Sequence, residues 1–326
     1  MEKIDENVWE NLEEYFLAKP EPIIGAKTIQ ILIIREILDY AAFRTEDTKE
    51  LNTMVTPTSV TKKEQISRVA FLGSKQKAAE TREMERMLRT AVDSLNLNEK
   101  DKEKDPFKNI AECYLKDSLC CKCPRCILHG ATALSSEANI KHRIEYSTAT
   151  SLLPWNDVEE TITFNAINDK NISTGQALGT RYLVKPATIF PSIITLKSIT
   201  KEEFILAVKS LLSCKSYGAE TRIGGDVRNH IVGIVAGWEE VITSLEFTLE
   251  LYDKITDNNV AKETTKEQIT LILESYKEMA GNKDDIIIEN NTDEIIKSVQ
   301  ETDLYKALLK KVCADAQTSN KIQNKK

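Results

Sequence analysis

The run TIFPSIITLKSITKEEFILAVKSLLS, residues 188–213, changes its apolar repeat halfway along from a period of two to one of about 3.6. Residues 188–196 are apolar and β-branched, a core strand that tolerates Pro191 only near an edge or a bulge. Thr200 and Glu203 have the spacing of a capping box, and the helix they start buries Phe204, Val208, Leu211 and Leu212 on one side. The turn-rich YGAETRIGGDVRN (217–229) follows, and HIVGIVAGW (230–238) is a further strand.

Upstream, AKTIQILIIREI (26–37) places Ile29, Ile31, Ile33 and Ile37 on one side and Thr28, Gln30 and Glu36 on the other, with Leu32 and Ile34 enriching the second face. A strand apolar on both faces is central in its sheet. Arg35 either pairs with a buried acid or emerges at the sheet edge, and the edge is the expectation. A long helix from Ser74 to Leu95 carries the stripe Ala78, Met84, Leu88, Ala91, Val92 and Leu95, and HRIEYSTATSLL (142–153) alternates as one strand. The core order is therefore β (27–37), α (74–95), β (143–152), β (188–196), α (201–214), β (228–238). That βαββαβ order is the split, ferredoxin-like plan that RNA-recognition modules share. The fold class is α+β. Residues 158–184, turn-rich in the middle, read as a protruding hairpin, and residues 7–18 as a helix ended by Pro20 and Pro22. Helices near 242–255, 264–280 and 293–313 complete the chain, with the tail SNKIQNKK (319–326) expected to be disordered.

Unusual chemistry is concentrated in CYLKDSLCCKCPRCILHG (113–130), which holds five of the seven cysteines and His129. Closely spaced thiolates on a turn-forming segment suit a tetrahedral zinc. Cys120, Cys123 and Cys126 are three steps apart, Cys113 is the best fourth ligand, and Cys121 and His129 are alternatives; the competing reading is plain buried thiols. Four thiolates close the coordination sphere, so the metal is structural, stabilising an insertion with little apolar sequence. The chain then divides into a modified RNA-recognition core (25–58, 141–160 and 183–255), a helical and zinc-binding insertion (59–140), the hairpin as a lid or thumb (161–182), and a C-terminal helical segment and tail (256–326).

The 326 residues carry a formal net charge of −7, which argues against a nucleic-acid partner only if the charge is spread evenly. It is not. Lys62, Lys63, Arg68, Lys75, Lys77, Arg82, Arg86 and Arg89 face only Glu64, Glu80, Glu83 and Glu85 between Thr61 and Thr90, and local sign governs what a surface attracts within a Debye length of about 10 Å. Arg82, Arg86 and Arg89 share one helix face, which is either solvated and paired with neighbouring glutamates or a nucleic-acid contact. No apolar run approaches the roughly 20 residues of a membrane helix. The acidic, amphipathic start is neither a signal nor a transit peptide, and clustered free cysteines of odd number point to a reducing, cytoplasmic setting.

No Walker loop, HExxH or G-x-S-x-G motif is present. His142, between Lys141 and Arg143, is the one candidate for cation-assisted RNA cleavage, set against a plain structural or phosphate-contacting role. Gly218, Gly224 and Gly225, bracketed by Arg222 and Arg228, let backbone amides approach a phosphate, or else form an ordinary helix-to-strand turn.

Three stretches together resemble the CRISPR-associated RAMP superfamily: RYLVKPATIFPSIITLKSITKEEFILAVKSLLSCKSYGAETRIGGDVRNHIVGI (181–234), REILDYAAFRTEDTKELN (35–52) and CPRCILHGA (123–131). Within it, the chain looks like the major guide-RNA-binding backbone subunit of type I-D interference (Cascade-like) complexes. The resemblance implies a noncatalytic protein that stacks head to tail along a single-stranded guide RNA, beside other subunits of the interference complex, and meets target DNA indirectly. It implies that the hairpin around Asn165 to Arg181 pokes between guide nucleotides and that the loop Tyr217 to Gly225 lies against the RNA backbone. His129 departs from the family, where similar proteins often carry an aromatic. The RNA-binding set expected on these grounds is Arg44, Lys62, Lys63, Arg68, Lys75, Lys141, Arg143, Arg181, Tyr217, Arg222 and Arg228. The sheet carries no paired aromatics, which agrees with holding phosphates and sugars and not base edges. A head-to-tail polymer needs two different complementary surfaces, and the acidic last quarter of the chain is one candidate. Two other readings stand beside this one: a metal-independent endoribonuclease acting through His142 with Lys141, and a zinc-bearing scaffold that binds only proteins.

Overall fold

Thr28–Ile37 is buried at nine of ten positions, so this strand needs cover on both faces and a neighbour on each side. The computed structural model describes residues 6–21, 24–45, 50–95, 100, 107–114, 119–132, 139–168, 173–218, 224–254 and 266–323. Its strands are β1 (Thr28–Ile37), β2 (Thr53–Pro57), β3 (Gln65–Phe71), β4 (Ala131–Thr132), β5 (Asn139–Ile140), β6 (Ile144–Tyr146), β7 (Ala149–Thr150), β8 (Glu159–Asn168), β9 (Ser173–Val184), β10 (Ile189–Lys197), β11 (Val227–Gly237) and β12 (Ile287–Ile288). Its helices are α1 (Glu10–Glu13), α2 (Gly73–Ser94), α3 (Phe107–Glu112), α4 (Pro124–His129), α5 (Trp155–Val158), α6 (Lys201–Ser213), α7 (Ser244–Asp253), α8 (Lys266–Met279), α9 (Thr292–Glu301) and α10 (Leu309–Gln323).

The architecture is mixed α+β. Five antiparallel strands run in the order β12-β11-β1-β10-β6. Pro191 pairs with Ile34 on the β1 side, while β6 reaches only Ile194–Leu196, so β10 has a single sheet neighbour at the proline. One sheet face puts Ile29, Ile31 and Ile33 against Met84 and Leu88 of α2 and Phe204 and Val208 of α6. The opposite face puts Leu32, Ile34 and Val235 against Phe247 and Leu251 of α7 and Ile269, Ile272 and Leu273 of α8. The sheet surface on which RNA-recognition modules stack bases is therefore covered.

Several elements differ from their sequence reading. The strand expected at 143–152 is two short ones: β6 belongs to the main sheet, whereas β7 joins β2 and β3 in a second sheet. The split falls where α2 begins. A Cβ on Gly73 would meet the Tyr146 carbonyl oxygen at 2.3 Å, and Gln76 Nε2 donates to Ser147 O at 3.1 Å, so the helix start occupies the bend. β2 and β3 form an antiparallel pair between β1 and α2 that the expected core order does not contain. The expected N-terminal helix is a 3-10 turn, Glu6–Trp9, running into the single turn α1, although Trp9, Leu12, Tyr15 and Phe16 are buried. The last helix is two, α9 and α10, and the expected disordered tail is helical to Gln323, with Ser319 buried.

Arg35 does not reach an edge. It lies in the central strand with no side-chain exposure and meets Glu80 of α2, Nη1 to Oε1 at 2.8 Å. Its Nε donates to Ser192 Oγ (2.9 Å) and its Nη1 to Asn229 Oδ1 (2.9 Å) and Tyr217 OH (3.1 Å). Glu80 also accepts from Tyr146 OH at 2.8 Å and Tyr217 OH at 2.9 Å. The guanidinium lies 5.4 Å from the Tyr217 ring centroid and 5.8 Å from that of Phe71. One buried ion pair thus ties β1, β6, β10, β11 and α2 together. Removing one partner of such a pair leaves a buried charge without compensation, so Glu80→Ala should lower the unfolding free energy by about 3–5 kcal/mol. Urea titration followed by circular dichroism measures this, and a loss under about 1 kcal/mol would make the pair no stronger than a surface one.

Candidate metal centre and nucleic-acid interface

The Sγ atoms of Cys113, Cys120, Cys123 and Cys126 all lie within 4.8 Å of one another. The Cys113–Cys126 and Cys120–Cys126 separations are 3.5 and 3.9 Å, close to the roughly 3.8 Å between thiolates at 2.3 Å from a tetrahedral ion. Local backbone builds the cluster. Pro124 starts α4, and the Lys122 and Cys123 N–H groups donate to Cys120 Sγ at 3.4 and 3.2 Å. The Cys120 N–H donates to Cys113 Sγ at 3.5 Å. Hydrogen bonds from Cys113, Cys120 and Cys123 hold the Cys126 thiol far below the usual range. The donor set fits a closed four-thiolate metal site.

The two alternative ligands stand outside it. Cys121 adopts φ +56° and places its thiol 3.7 Å from Leu119 O. His129 Nδ1 is 3.1 Å from Thr81 Oγ1, and burial pushes its pKa down to about 3. Sequence reasoning missed the surroundings of the sulfurs. Arg125 is buried, lies 3.5 Å from Cys126 Sγ through Nη1 and pairs with Glu85 at 3.2 Å; Arg89 donates to Cys113 O. A buried cation beside four thiolates offsets their charge. Elemental analysis of the purified protein should find one metal ion per chain, and Cys126→Ser should lose it together with folding stability. Full stability without the metal would reduce the cluster to buried thiols.

The expected RNA-contacting residues that the structure describes separate into three groups by burial. Arg68, Arg143 and Tyr217 are buried, which corrects the expectation that they face RNA. Arg68 donates to Thr56 Oγ1 (3.0 Å), Ser151 O (2.9 Å), Leu152 O and Thr58 O (2.7 Å), lies 4.8 Å from the Tyr252 ring centroid, and is pushed down to a pKa of about 10 by burial. Arg143 forks onto Glu203, the capping-box residue that starts α6, and donates to Ser198 O at 2.8 Å. Tyr217 belongs to the Arg35–Glu80 network. Alternation and charge in the sequence could not separate buried Arg68 and Arg143 from surface cations.

Lys62, Lys63, Lys141 and Arg228 are exposed, and Arg44, Lys75 and Arg181 are half-buried. Arg222 lies outside the described residues. Lys62 and Lys63 sit on the β2–β3 turn, which Asp253 anchors by accepting from Thr61 N (3.0 Å) and Thr61 Oγ1 (2.7 Å). Arg228 is 3.8 Å from Glu36 with its side chain 56% exposed. His142 Nε2 is 3.9 Å from Glu145, and burial, reinforced by Lys77, lowers its pKa.

The hairpin and the glycine loop share a root just past the end of β1. Ala41 exchanges backbone hydrogen bonds with Val184 at the base of β9, at 3.0 and 2.8 Å. Gly225 has φ +58°, and a Cβ there would meet Gly218 N at 2.8 Å and Ala41 Cβ at 3.2 Å, so only glycine fits. The loop closes below its tip through Tyr217 N to Gly225 O (3.2 Å) and Gly218 N to Gly224 O (3.0 Å). Arg44 and Arg181 each lie three residues along the chain from this root, and Arg228 lies two from Asp226, whose carbonyl accepts from Leu38 N at 2.7 Å. Among the described residues no helix is long and apolar enough to cross a membrane.

The match to a CRISPR family model over most of the chain makes this a CRISPR-associated protein of the RAMP superfamily. The crystal structure of Thermofilum pendens Csc2 has the same fold, with a TM-score of 0.64 at 18% identity over 98% of this chain and 99% of that one. A chain of a structure titled "CRISPR RNA-guided surveillance complex, pre-nicking" superposes with a TM-score of 0.50 at 12% identity over 90% of this chain and 100% of that one. None of the curated proteins matches the sequence. Residues 12–325 match the Csc2 family, described as Csc2 Crispr, and the chain belongs to that family.

Proposed function

We propose that this protein binds single-stranded guide RNA through its sugar–phosphate backbone, as the repeated backbone subunit of a type I-D interference complex that presents the guide to target DNA. The observation that carries the reading is the shared root at Ala41, from which the hairpin and the glycine loop both leave, with Arg44, Arg181 and Arg228 close to it in the chain. Similarity to a chain of a complex titled RNA-guided supports the same role. The strand order β11-β1-β10-β6, with α2 and α6 on one face, supports a modified ferredoxin-like, RNA-recognition core. Because α7 and α8 cover the other face, the guide runs past the end of β1 and not across the sheet. Phosphate contacts position a strand without reading it, which suits guides of arbitrary sequence.

The metal in the cysteine cluster is zinc in this reading. It supplies cross-linking of the insertion and no reaction chemistry, since four thiolates leave no position for a substrate. The protein is noncatalytic in this reading, with half-buried His142 beside Glu145 at 3.9 Å serving a structural role.

If about six phosphates are neutralised per protomer, filter binding to unrelated single-stranded RNAs should weaken with salt at a log–log slope of about −4. Arg181→Glu and Arg228→Glu should lower affinity for every sequence alike. A flat salt response, or strict sequence dependence, would sink the proposal. Labelled RNA incubated with EDTA should remain intact with both wild type and His142→Ala; cleavage by wild type alone would restore the endoribonuclease reading.

A further inference from the structure

Between α8, β11 and the segment after β12 lies a cavity of about 380 Å³. Val232, Ile269, Leu273 and Ile288 give it apolar walls, Glu267 and Glu289 also line it, and no basic residue does among the described residues. Glu289 is only 4% exposed. Its Oε1 accepts from the Asn291 N–H at 2.7 Å, but its Oε2 is buried with no partner among the described residues. A buried carboxylate oxygen calls for a cation or a donor, and apolar walls favour a cation carried on an aliphatic stem.

We propose that this cavity receives an arginine or lysine side chain of a second copy of this chain, as the acidic half of the head-to-tail contact; the proposal rests on the guide-bound assembly described above. The basic half is the row on α2, where Arg82 is exposed and Arg86, its side chain 65% exposed, would exchange its pairing with Glu83 for the cavity. α2 covers the Ile29–Ile31–Ile33 face of the sheet, and α8, which walls the cavity, covers the Leu32–Ile34 face. Surfaces of opposite charge on opposite faces of one protomer make a heterologous contact, which propagates along a filament without closing a pair.

The test uses the full chain and two readouts. In ligand-observed NMR, n-butylguanidinium should bind wild type saturably and lose that binding in Glu289→Gln, which keeps the acceptor for Asn291. In RNA loading, a short oligonucleotide holding one protomer is compared with a long poly-uridine. Glu289→Gln, Leu271→Lys at the exposed cavity lining, and the pair Arg82→Glu with Arg86→Glu should leave short-RNA affinity unchanged. Each should weaken long-RNA loading about tenfold, the scale of ordinary site-to-site coupling. No butylguanidinium binding, or unchanged loading in the cavity variants, overturns the proposal. A loading defect in the cavity variants without one in the α2 variants overturns the second copy as the source of the cation. Wild type failing to bind even the short RNA removes the guide-binding reading instead, while the NMR readout still decides whether the cavity takes a guanidinium.

Discussion

A fully buried arginine at the middle of a sheet is tolerable only where the protein surrounds it with a carboxylate and further acceptors. Arg35 has Glu80, Ser192, Asn229 and Tyr217, each from a different segment of the chain. The pair fixes the rotation of α2 above the sheet, because only one face of that helix can bring Glu80 to β1. Tyr146 and Tyr217 complete the carboxylate, so the short strand β6 and the base of the glycine loop are positioned by the same contact. What leaves the core beyond β1 inherits that alignment.

The glycine loop shows how a core interaction reaches a candidate binding element. Tyr217 is buried in the ion-pair network, and its neighbour Gly218 packs against Gly225 beside Ala41. The hairpin springs from that alanine as well. Two segments some forty residues apart are thus held at one point. The insertion follows a different logic. Its four sulfurs, with Arg125 and Glu85 beside them, converge at one point, while Ile110, Ile127 and Leu128 join the same core as α2 and the Ile29–Ile31–Ile33 face.

Arginine was the residue hardest to read. Arg143 follows Lys141 and His142, and Arg68 lies between Lys63 and Lys75, so both sit in basic stretches whose composition resembles a phosphate-binding surface. Both face inward, where Arg68 ties the second sheet to the Ser151–Leu152 backbone and Arg143 braces the capping glutamate of α6. A guanidinium has five donors, so one side chain can close several backbone gaps at once, and local sequence carries no mark of whether its acceptors will be protein or phosphate. The part of α10 beyond Cys313 was missed for a related reason: its buried residues there include the small Ala316 and Ser319, weak as a pattern yet buried once packed.

By itself the sequence determined, to within a residue at each end, strands at 27–37, 188–196 and 228–238, the capped helix after Thr200, the hairpin and the four clustered cysteines, because each depends on residues close together in the chain. Alternation, capping spacing and the rise of thiolates along a turn are local facts, and local facts survive in one dimension. Tertiary structure alone decided that Arg35 meets Glu80, that 142–153 divides between two sheets, that α7 and α8 cover the second sheet face, and that the hairpin and glycine loop share a root. Each of these pairs groups far apart in sequence, and which partner a buried charge or an open sheet face finds is settled only when the whole chain has packed.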